Sequence, residues 1–408
     1  MSAKSSLSEQ LDRLEGWRAA WAWAVMASLG LRLGLGAVMA GTWLIIKPRL
    51  APGLLNNPNV YGVLDIPTTS PGDAFLGVWV RWDAVHHLNL AALGYENVST
   101  GDSVFYPLFA LLTRAFAGPL GGDLILASLI VATLATCAAL AGLYRLTDSA
   151  FGPCSARWSV LVLASFPTAV FLVAPFTESL FLALTIGAFL TCRRGRWWLA
   201  GALGLLASLA RGPGMLTSLA LAIVAWREWR TTRPRLLSFQ TISMLAGVAL
   251  PVVGGLGFLA WRHAAGLPPV TAILRQYSEL VLTNPVSGLV ASVQQWLRAA
   301  DFTMTLEVLT APLFIALTAA MFLNPRWRKP EWTAYVVVNL GLFLSKQSLT
   351  GSSLQSLPRY VLMLFPVFIV VGDWLAHRGR RTQFIYLAVS SAALLVFGAL
   401  YTLWVFIG

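Results

Sequence analysis

Asp83, His86 and His87 stand close together in the stretch RWDAVHHLNLAALGY at 81–95, where a carboxylate and two imidazoles could do acid–base chemistry. If residues 75–94 form a helix that ends at Gly94, the spacing of the three side chains puts them on one face. A carboxylate within hydrogen-bond reach of an acceptor hydroxyl can act as its general base. We therefore predict that Asp83 is a general base and that His86 orients it or binds the acceptor.

Two other interpretations of this stretch stay open. Asp83 could form a surface ion pair with a histidine or with Arg81. Asp83 and the histidines could also ligate a divalent metal. Adjacent side chains on a helix point about 100 degrees apart, so only one histidine would converge with Asp83. A metal is therefore possible but not favoured, and we expect that no cofactor is required.

The composition is typical of a polytopic membrane protein. Of the 408 residues, 57% are hydrophobic and 11% are charged, and the mean hydropathy is +0.71. Soluble proteins carry roughly 25% charged residues. The net charge of +12 reflects Lys and Arg in short loops, which set membrane topology, so we expect no nucleic-acid partner. The fold class is therefore predicted to be all-α.

Apolar stretches predict about 11 transmembrane helices, within a range of 10–12. A helix needs about 20 apolar residues to cross a bilayer. The long stretches are 19–46, 122–146, 156–174, 237–261, 306–323, 332–348, 358–376 and 384–406. Shorter ones cover 177–192, 197–210 and 214–226. Residues 103–117 contain Pro107 and Arg114 and are expected not to cross.

Basic residues orient this predicted bundle. The basic clusters are Lys4/Arg13/Arg18, Arg145/Arg157, Arg193/Arg194/Arg196, Arg227/Arg230/Arg233/Arg235, Arg326/Arg328/Lys329 and Arg378/Arg380/Arg381. All of them can be cytoplasmic if residues 103–117 do not cross. Residues 1–408 then form a single membrane domain with two large extracytoplasmic loops, 47–121 and 262–305. The first loop would carry amphipathic helices that lie at the membrane interface.

Further polar residues gather on the predicted extracytoplasmic side. Arg359 lies where a polar segment enters a span, and its guanidinium could bind a phosphate through two hydrogen bonds. The alternative is an arginine that reaches the lipid headgroups. Tyr360 could add a hydrogen bond to the same ligand. Lys346 and Gln347 end the preceding span and could face the same pocket.

Glu178 begins a predicted helix in the segment PFTES, where Thr177 could cap that helix. Boundary carboxylates are usually functional or paired, and we predict that Glu178 pairs with Arg211. His87, Trp82 and Tyr106 complete the predicted substrate-binding set; Trp82 is expected at the membrane interface. Tyr106 is expected to shape a turn, and Asp102 to cap a helix.

The stretch RWDAVHHLNLAALGY, followed by FYPLFALLTR, resembles the signature of the glycosylphosphatidylinositol mannosyltransferase II (PIG-V-like) family. That signature is roughly W-D-x-x-H-Y-x-x-I-A-x-x-G-Y and then F-F-P-L-x-P-L-L. Similar segments follow in the family's order: PFTESLFLALTIGAFL at 175–190, LAGALGLLASLARGPGM at 199–215 and SLPRYVLMLFPVFIV at 356–370. His87 stands where the family usually has Tyr, and Ala110 stands where the second Pro would fall.

The resemblance implies a GT-C fold and an inverting glycosyltransferase, with mannose as the sugar. Such an enzyme moves the sugar from a polyprenyl-phosphate donor to a lipid or glycan acceptor, and Asp83 matches the family's carboxylate. The charge pattern and the Trp- and Arg-rich composition look bacterial. We therefore expect a protein of the bacterial inner membrane, with its active site on the extracytoplasmic face.

The alternative function is that of a lipid or solute transporter or flippase. Broken helices and intramembrane charges are common in transporters. No convincing internal repeat is seen in the chain, and its polar residues gather toward one face, so the pattern favours the enzyme.

Overall fold

A computed structural model describes residues 16–49, 71–277, 279–348 and 352–408. Residues 50–70 of the predicted first loop, residues 349–351, and Lys4 and Arg13 of the first basic cluster lie outside these ranges. Within the described ranges the regular structure is almost entirely helical. The prediction of an all-α membrane protein is confirmed at this level.

The chain up to Ala264 contains eleven α-helices among the described residues. They are α1 (Gly16–Ile46), α2 (Pro71–Phe75), α3 (Asp83–Leu93), α4 (Pro107–Ala117), α5 (Leu124–Phe151), α6 (Pro153–Ser165), α7 (Val170–Val173), α8 (Glu178–Cys192), α9 (Trp197–Ala210), α10 (Thr217–Thr232) and α11 (Phe239–Ala264). Short 3-10 turns at Gly77–Trp79 and Asp102–Val104 flank α3.

The part of the chain after Ala264 adds further helices and one small sheet. Its elements are α12 (Val270–Tyr277), β1 (Leu280–Leu282), α13 (Pro285–Ala299), α14 (Phe302–Leu323), α15 (Pro330–Leu344), β2 (Lys346–Ser348), α16 (Leu357–Tyr360), α17 (Phe365–Ala376) and α18 (Arg380–Thr402). Strands β1 and β2 pair antiparallel, with Leu282 opposite Lys346.

Among the described residues, five helices are long and apolar enough to cross a membrane, namely α1, α5, α11, α14 and α18. A sixth span arises if Leu357–Met363 and Phe365–Ala376 form one broken crossing, bent by 79°. The bend follows from Pro366 in the first turn of α17, which cannot continue the hydrogen bonds of a preceding helix.

The basic clusters meet at one end of the bundle, which we call the basic end. The guanidinium groups of Arg145 and Arg194 both lie over the Trp17 ring, at 5.7 and 5.8 Å. Arg193 and Arg227 both pair with Glu331, at 3.3 and 3.1 Å. A further buried carboxylate, Asp373, accepts two hydrogen bonds from Arg326 and one each from Ser155 and Trp327.

The candidate site lies at the other end, which we call the site end. Helix α8 begins at Glu178 of the site and ends beside Arg193 of the basic end. Its 15 residues separate the two ends by about 22 Å at 1.5 Å per residue. Helix α15 runs the opposite way, from Glu331 toward Lys346. The sequence predicts that the basic clusters and the polar site residues lie on opposite sides of the bundle, and helices α8 and α15 keep the two groups apart.

The local prediction for residues 75–94 is wrong in its first half. The helix begins at Asp83, because Trp82 has φ of +53°, which breaks the helical conformation just before it. Gly94 does end the helix, with φ of +71°. Helix α3 is also buried on most of its surface, including Val85, Leu88 and Leu90, instead of presenting one face to a membrane. Tertiary packing therefore overrides the amphipathic pattern here.

Candidate active site

A continuous chain of ion pairs joins four of the predicted site residues. The Arg359 guanidinium lies 2.8 Å from Asp83 Oδ2 and 3.0 Å from Glu178 Oε1. Arg211 reaches the same Glu178 oxygen at 2.6 Å. The predicted pair between Glu178 and Arg211 is thus present, and Arg359 extends it to Asp83. Two arginines and two carboxylates from four separate segments form one cluster.

Both carboxylates sit at helix N-termini. Asp83 is the first residue of α3, and Glu178 is the first residue of α8. The free N–H groups and the dipole of a helix N-terminus stabilise negative charge there. Thr177 does not cap α8 with its side chain, contrary to the prediction, because its hydroxyl accepts a hydrogen bond from Arg211 at 2.8 Å.

Each half of the Asp83–Arg359 pair follows a residue with a positive φ angle. Trp82, with φ of +53°, precedes Asp83, and Ser356, with φ of +68°, precedes the short helix of Arg359. Such conformations cost about 1–3 kcal/mol each and persist only where neighbours enforce them. The Trp82 ring packs edge-on against Trp404 and Phe406, at 5.6 and 5.1 Å. These contacts hold Trp82 in place, and its position at the membrane interface stays a prediction.

Glu307 enforces the conformation on the Arg359 side. This fully buried carboxylate of α14 accepts a hydrogen bond from the Ser356 backbone N–H at 3.0 Å and another from the Ser352 hydroxyl. Phe171 and Phe176 lie 5.5 and 5.3 Å from the Arg359 guanidinium. The arginine is therefore held in an apolar wall with its charge directed at carboxylates.

The charge state of Asp83 is set by opposing effects. Burial raises its pKa, but the Arg359 guanidinium and the two histidines more than compensate and hold the pKa below its ordinary value. Asp83 is thus an ionised carboxylate whose side chain keeps 27% exposure. The alternative of a surface pair with Arg81 is not found, since Arg81 donates to the Gly77, Val80 and Thr402 carbonyls.

Tyr360 and Lys346 extend the cluster toward a cavity. Arg211, Arg359 and Lys346 all lie over the Tyr360 ring, with Lys346 Nζ the nearest at 3.9 Å. Lys346 and Tyr360 also line a cavity of about 540 Å³. Its other walls are mostly apolar and include Leu274, Leu280, Val281 and Leu282. Gln347 pairs with Val281 in the small sheet and does not line this cavity.

His86 does not orient Asp83, in contrast to one of the two predicted roles. Its Nδ1 forms a hydrogen bond with Asp102 instead. Asp102 lies in the 3-10 turn Asp102–Val104 and does not cap a helix, because its carboxylate is occupied by His86 and by Asn89 at 3.3 Å. The predicted N-cap role of Asp102 is therefore wrong. The His86 side chain stays 42% exposed.

His87 faces the protein interior. It is buried edge-on between Phe105 and Phe109, at 4.8 and 5.3 Å, and its Nδ1 has no hydrogen-bond partner among the described residues. Burial lowers the pKa of His87 to about 3. A neutral imidazole held between aromatic rings contributes packing. A tyrosine ring, which the family's signature usually has at this position, could pack in the same way.

A pH-dependent stability follows from His87. Its pKa is near 6.5 when unfolded and about 3 when folded, so the unfolded chain binds the extra proton between these values. We expect the unfolding free energy to fall as pH drops below about 6.5, by up to about 1.4 kcal/mol per pH unit. The His87→Phe variant should lose this contribution. Thermal unfolding midpoints in detergent, measured between about pH 5 and pH 8, test the difference.

His86 contributes with the opposite sign, because its folded pKa is raised; that contribution is present in acid and is lost as pH rises. Wild type and His87→Phe share the contribution of His86, so the difference between their stabilities at each pH reports the contribution of His87. His263→Phe, at an exposed position near the end of α11, is the matched control and should follow wild type. Equal slopes in wild type and His87→Phe would show that His87 is not buried in neutral form.

Tyr106 lies at the start of α4, as the turn prediction requires. A methyl group added to Gly212 would lie only 2.8 Å from the Tyr106 hydroxyl, so the backbone after Arg211 passes directly against this ring. Tyr106 therefore packs beside the ion-pair cluster without joining it.

Three residues of the site were not predicted as such: Asp102, Glu307 and Trp404. Glu307 is a carboxylate in the apolar stretch 306–323, which is a usable signal, but its partners Ser352 and Ser356 lie 45 and 49 positions away. Asp102 lies in a polar loop and gives no such signal. In the described part of the chain, no three His, Cys, Asp or Glu side chains are arranged to hold a metal ion. Asp83, His86 and His87 each contact a different partner, namely Arg359, Asp102 and Phe105.

Comparison with known proteins gives a partial similarity. No protein-family model matches the chain. Two proteins named GPI alpha-1,6-mannosyltransferase 2 are similar over 155 residues: that of Cricetulus griseus at 31% identity and that of Rattus norvegicus at 32%. Each match covers 36% of this chain and 31% of the relative. The Mus musculus protein of that name is 31% identical over 180 residues, 42% of this chain and 34% of the relative. The similarity thus spans about a third of these relatives' length.

Proposed function

We propose that the protein is a membrane glycosyltransferase of the GT-C type and a member of the glycosylphosphatidylinositol mannosyltransferase II family. In this proposal it moves a mannosyl group from a polyprenyl-phosphate donor to a hydroxyl of a lipid-linked or extracytoplasmic acceptor, with inversion. The observation that carries the proposal is the ion-pair cluster of Asp83 and Arg359 beside an apolar cavity. The similarity to proteins named mannosyltransferases supports the sugar.

The topology proposed for the chain has 11 crossings. Besides the long helices, we assign one crossing to each of the segments α6–α7, α8, α9, α10, α15 and α16–α17. With the five long helices they make 11. Helix α4 packs beside α5 and adds no crossing. The positive-inside tendency then makes the basic end cytoplasmic and the site end extracytoplasmic, in the inner membrane of a bacterium.

The charge balance of the site favours an anionic ligand. Arg211, Arg359 and Lys346 supply three cationic groups, against the two carboxylates of Asp83 and Glu178. Within the described ranges Lys346 pairs with no carboxylate, so its charge is available to a phosphate. The cavity that Lys346 lines has mostly apolar walls, with Arg275 and Thr271 among its few polar residues, and it suits the first isoprene units of a polyprenyl chain.

The reaction proposed for this site needs one base and several cations. Arg359 binds Asp83 through Oδ2, and Oδ1 accepts no hydrogen bond from the described residues. Oδ1 takes the proton of the acceptor hydroxyl while that oxygen attacks the anomeric carbon from the face opposite the phosphate. The bond between this carbon and the phosphate oxygen breaks, and its electron pair leaves on the phosphate. Lys346 and the two arginines stabilise the negative charge that develops there.

Donor dependence tests the function directly. We expect the protein, reconstituted in liposomes, to transfer labelled mannose from a polyprenyl-phosphate mannose to an added lipid acceptor, and not from a nucleotide sugar. Lys346→Met should raise KM for the donor about tenfold, because loss of one charge-assisted phosphate contact of roughly 1.4 kcal/mol corresponds to a tenfold change in affinity. Lys329→Met, which removes a lysine at the basic end, is the matched control and should leave KM unchanged.

Two outcomes would contradict the proposal. Transfer from a nucleotide sugar alone would exclude the polyprenyl-phosphate donor. Movement of the intact polyprenyl-phosphate lipid between leaflets without any transfer would favour the transporter alternative, in which the same cluster binds a headgroup.

A further inference from the structure

Asp102, which is buried, and His86, which is partly exposed, form a hydrogen-bonded pair beside Asp83, the proposed catalytic carboxylate. Asp102 is 5% exposed, and its carboxylate accepts hydrogen bonds from His86 Nδ1 and from Asn89. The Asp102 backbone N–H donates to the Ser99 hydroxyl at 3.1 Å, which fixes the turn that carries it. The His86 ring stacks on Phe105 with a 5.0 Å centroid distance. The imidazole is therefore held in one orientation.

This arrangement selects one nitrogen of His86 for chemistry. Because Nδ1–H donates to the carboxylate, the neutral ring carries its lone pair on Nε2. No described residue hydrogen-bonds to Nε2, and the side chain is 42% exposed. Asp83 lies one helical turn earlier on α3, and side chains at this spacing are neighbours. His86 is thus the more exposed of these two neighbours, with 42% of its side chain exposed against 27% for Asp83.

We infer that Asp102 is a positioning residue that fixes the tautomer and orientation of His86. In the same inference, His86 takes the proton that Asp83 has accepted during sugar transfer and passes it to water. The inference rests on the proposed function and adds to it the route by which the base is regenerated. The role is comparable to that of a carboxylate that orients a catalytic imidazole.

The proton balance of this route is simple. The acceptor O–H bond breaks and the proton moves to Asp83. It then passes to His86 Nε2, so that Asp83 regains its charge and His86 becomes an imidazolium. The imidazolium releases the same proton from Nε2 to water and returns to the neutral ring. Asp102 keeps its charge throughout and exchanges no proton.

The charges around the two groups favour this direction. Burial lowers the pKa of His86, but the hydrogen bond with Asp102 and the charges of Asp83 and Asp102 raise it above its ordinary value overall. The pKa of Asp83 is held below its ordinary value. The titratable groups that act on His86 are Asp102, from the turn packed against α3, and Asp83 and His87 on α3 itself. A proton on Asp83 is therefore donated readily to His86.

Chemical rescue tests the role of His86. We expect His86→Ala to lower kcat about tenfold, and added imidazole to restore much of it, because the removed ring was exposed. His377→Ala is the matched control. That imidazole also lies beside an aspartate, 3.9 Å from Asp373, but at the basic end, so neither its removal nor imidazole should change kcat.

Asp102→Asn tests the positioning role. The amide keeps the shape of the carboxylate and removes its charge, so the pKa of His86 should fall by roughly one unit. The acid limb of the pH profile of kcat should move down by about the same amount, because His86 must be neutral to accept the proton. A merely structural role would lower the rate at every pH without this movement. The chain has four histidines, so the titration of His86 can also be followed by NMR on the labelled full chain.

Each result tests a different part of the inference. An unchanged His86 titration in Asp102→Asn would overturn the positioning role, whether or not the protein transfers sugar. Loss of activity in His86→Ala with no response to imidazole would overturn the proton route. Absence of transfer in the wild type from polyprenyl-phosphate mannose would refute the proposed function and the proton route with it, and the NMR titration would still decide the role of Asp102.

Discussion

Asp83→Asn is expected to lower the rate of sugar transfer by about a thousandfold while the protein stays folded. The amide cannot accept the acceptor's proton, which removes general-base catalysis. Folding should persist because Glu178, at 3.0 Å, still neutralises Arg359, and because Asp83 is partly exposed. Initial rates with a saturating polyprenyl-phosphate donor measure the loss, and thermal unfolding in detergent measures the folding.

The matched control for this variant is Asp301→Asn. Asp301 caps α14 at the same end of the bundle by accepting a hydrogen bond from the Met304 N–H, and asparagine caps equally well. Its rate should equal that of wild type. If Asp83→Asn retains more than about a tenth of wild-type kcat, Asp83 is not the general base and the proposed mechanism is wrong.

Arg359→Met is expected to have the second largest effect, on both stability and activity. The change leaves Asp83 without its ion-pair partner and Glu178 with only Arg211. Removing one partner of a buried ion pair costs about 3–5 kcal/mol. Transfer should fall by about a hundredfold or more, because the cation that binds the leaving phosphate is lost.

A double variant separates the two effects of Arg359→Met. Adding Glu178→Gln removes one of the two carboxylates that Arg359 neutralised and leaves one carboxylate, Asp83, with one arginine, Arg211. Thermal stability should therefore recover in part while transfer stays low. Arg298→Met, at the exposed end of α13, serves as the matched control for loss of an arginine and should leave both properties unchanged. Full transfer activity in Arg359→Met would exclude this residue from phosphate binding.

Much of the fold followed from local patterns in the sequence. The apolar stretches at 177–192 and 197–210 became α8 and α9 almost residue for residue. The stretch at 306–323 became most of α14, and 384–406 most of α18. A long apolar stretch determines a helix by itself, because backbone groups in an apolar environment must be satisfied within the segment.

Several breaks in these helices could not be read from the same patterns. The stretch at 156–174 is interrupted between α6 and α7, and the stretch at 358–376 bends by 79° at Leu364. The first break follows Ser165, where Pro167 pushes Phe166 out of the helical conformation to ψ of 139°. In both places a proline, Pro167 or Pro366, lies at the break, and a pattern of apolar residues alone does not take its effect on the backbone into account.

The sequence by itself determined the helical membrane character, the separation of basic and polar ends, and the candidate importance of Asp83, Glu178, Arg211 and Arg359. Only the tertiary structure decided how these residues combine. Asp83 and Arg359 are 276 positions apart, and the rings that hold Trp82 in place lie at the far end of the chain. Asp102 became a partner of His86 through the fold of its own loop. Local preferences act over a few residues, whereas a buried charge takes the partner that the whole fold brings within hydrogen-bond reach.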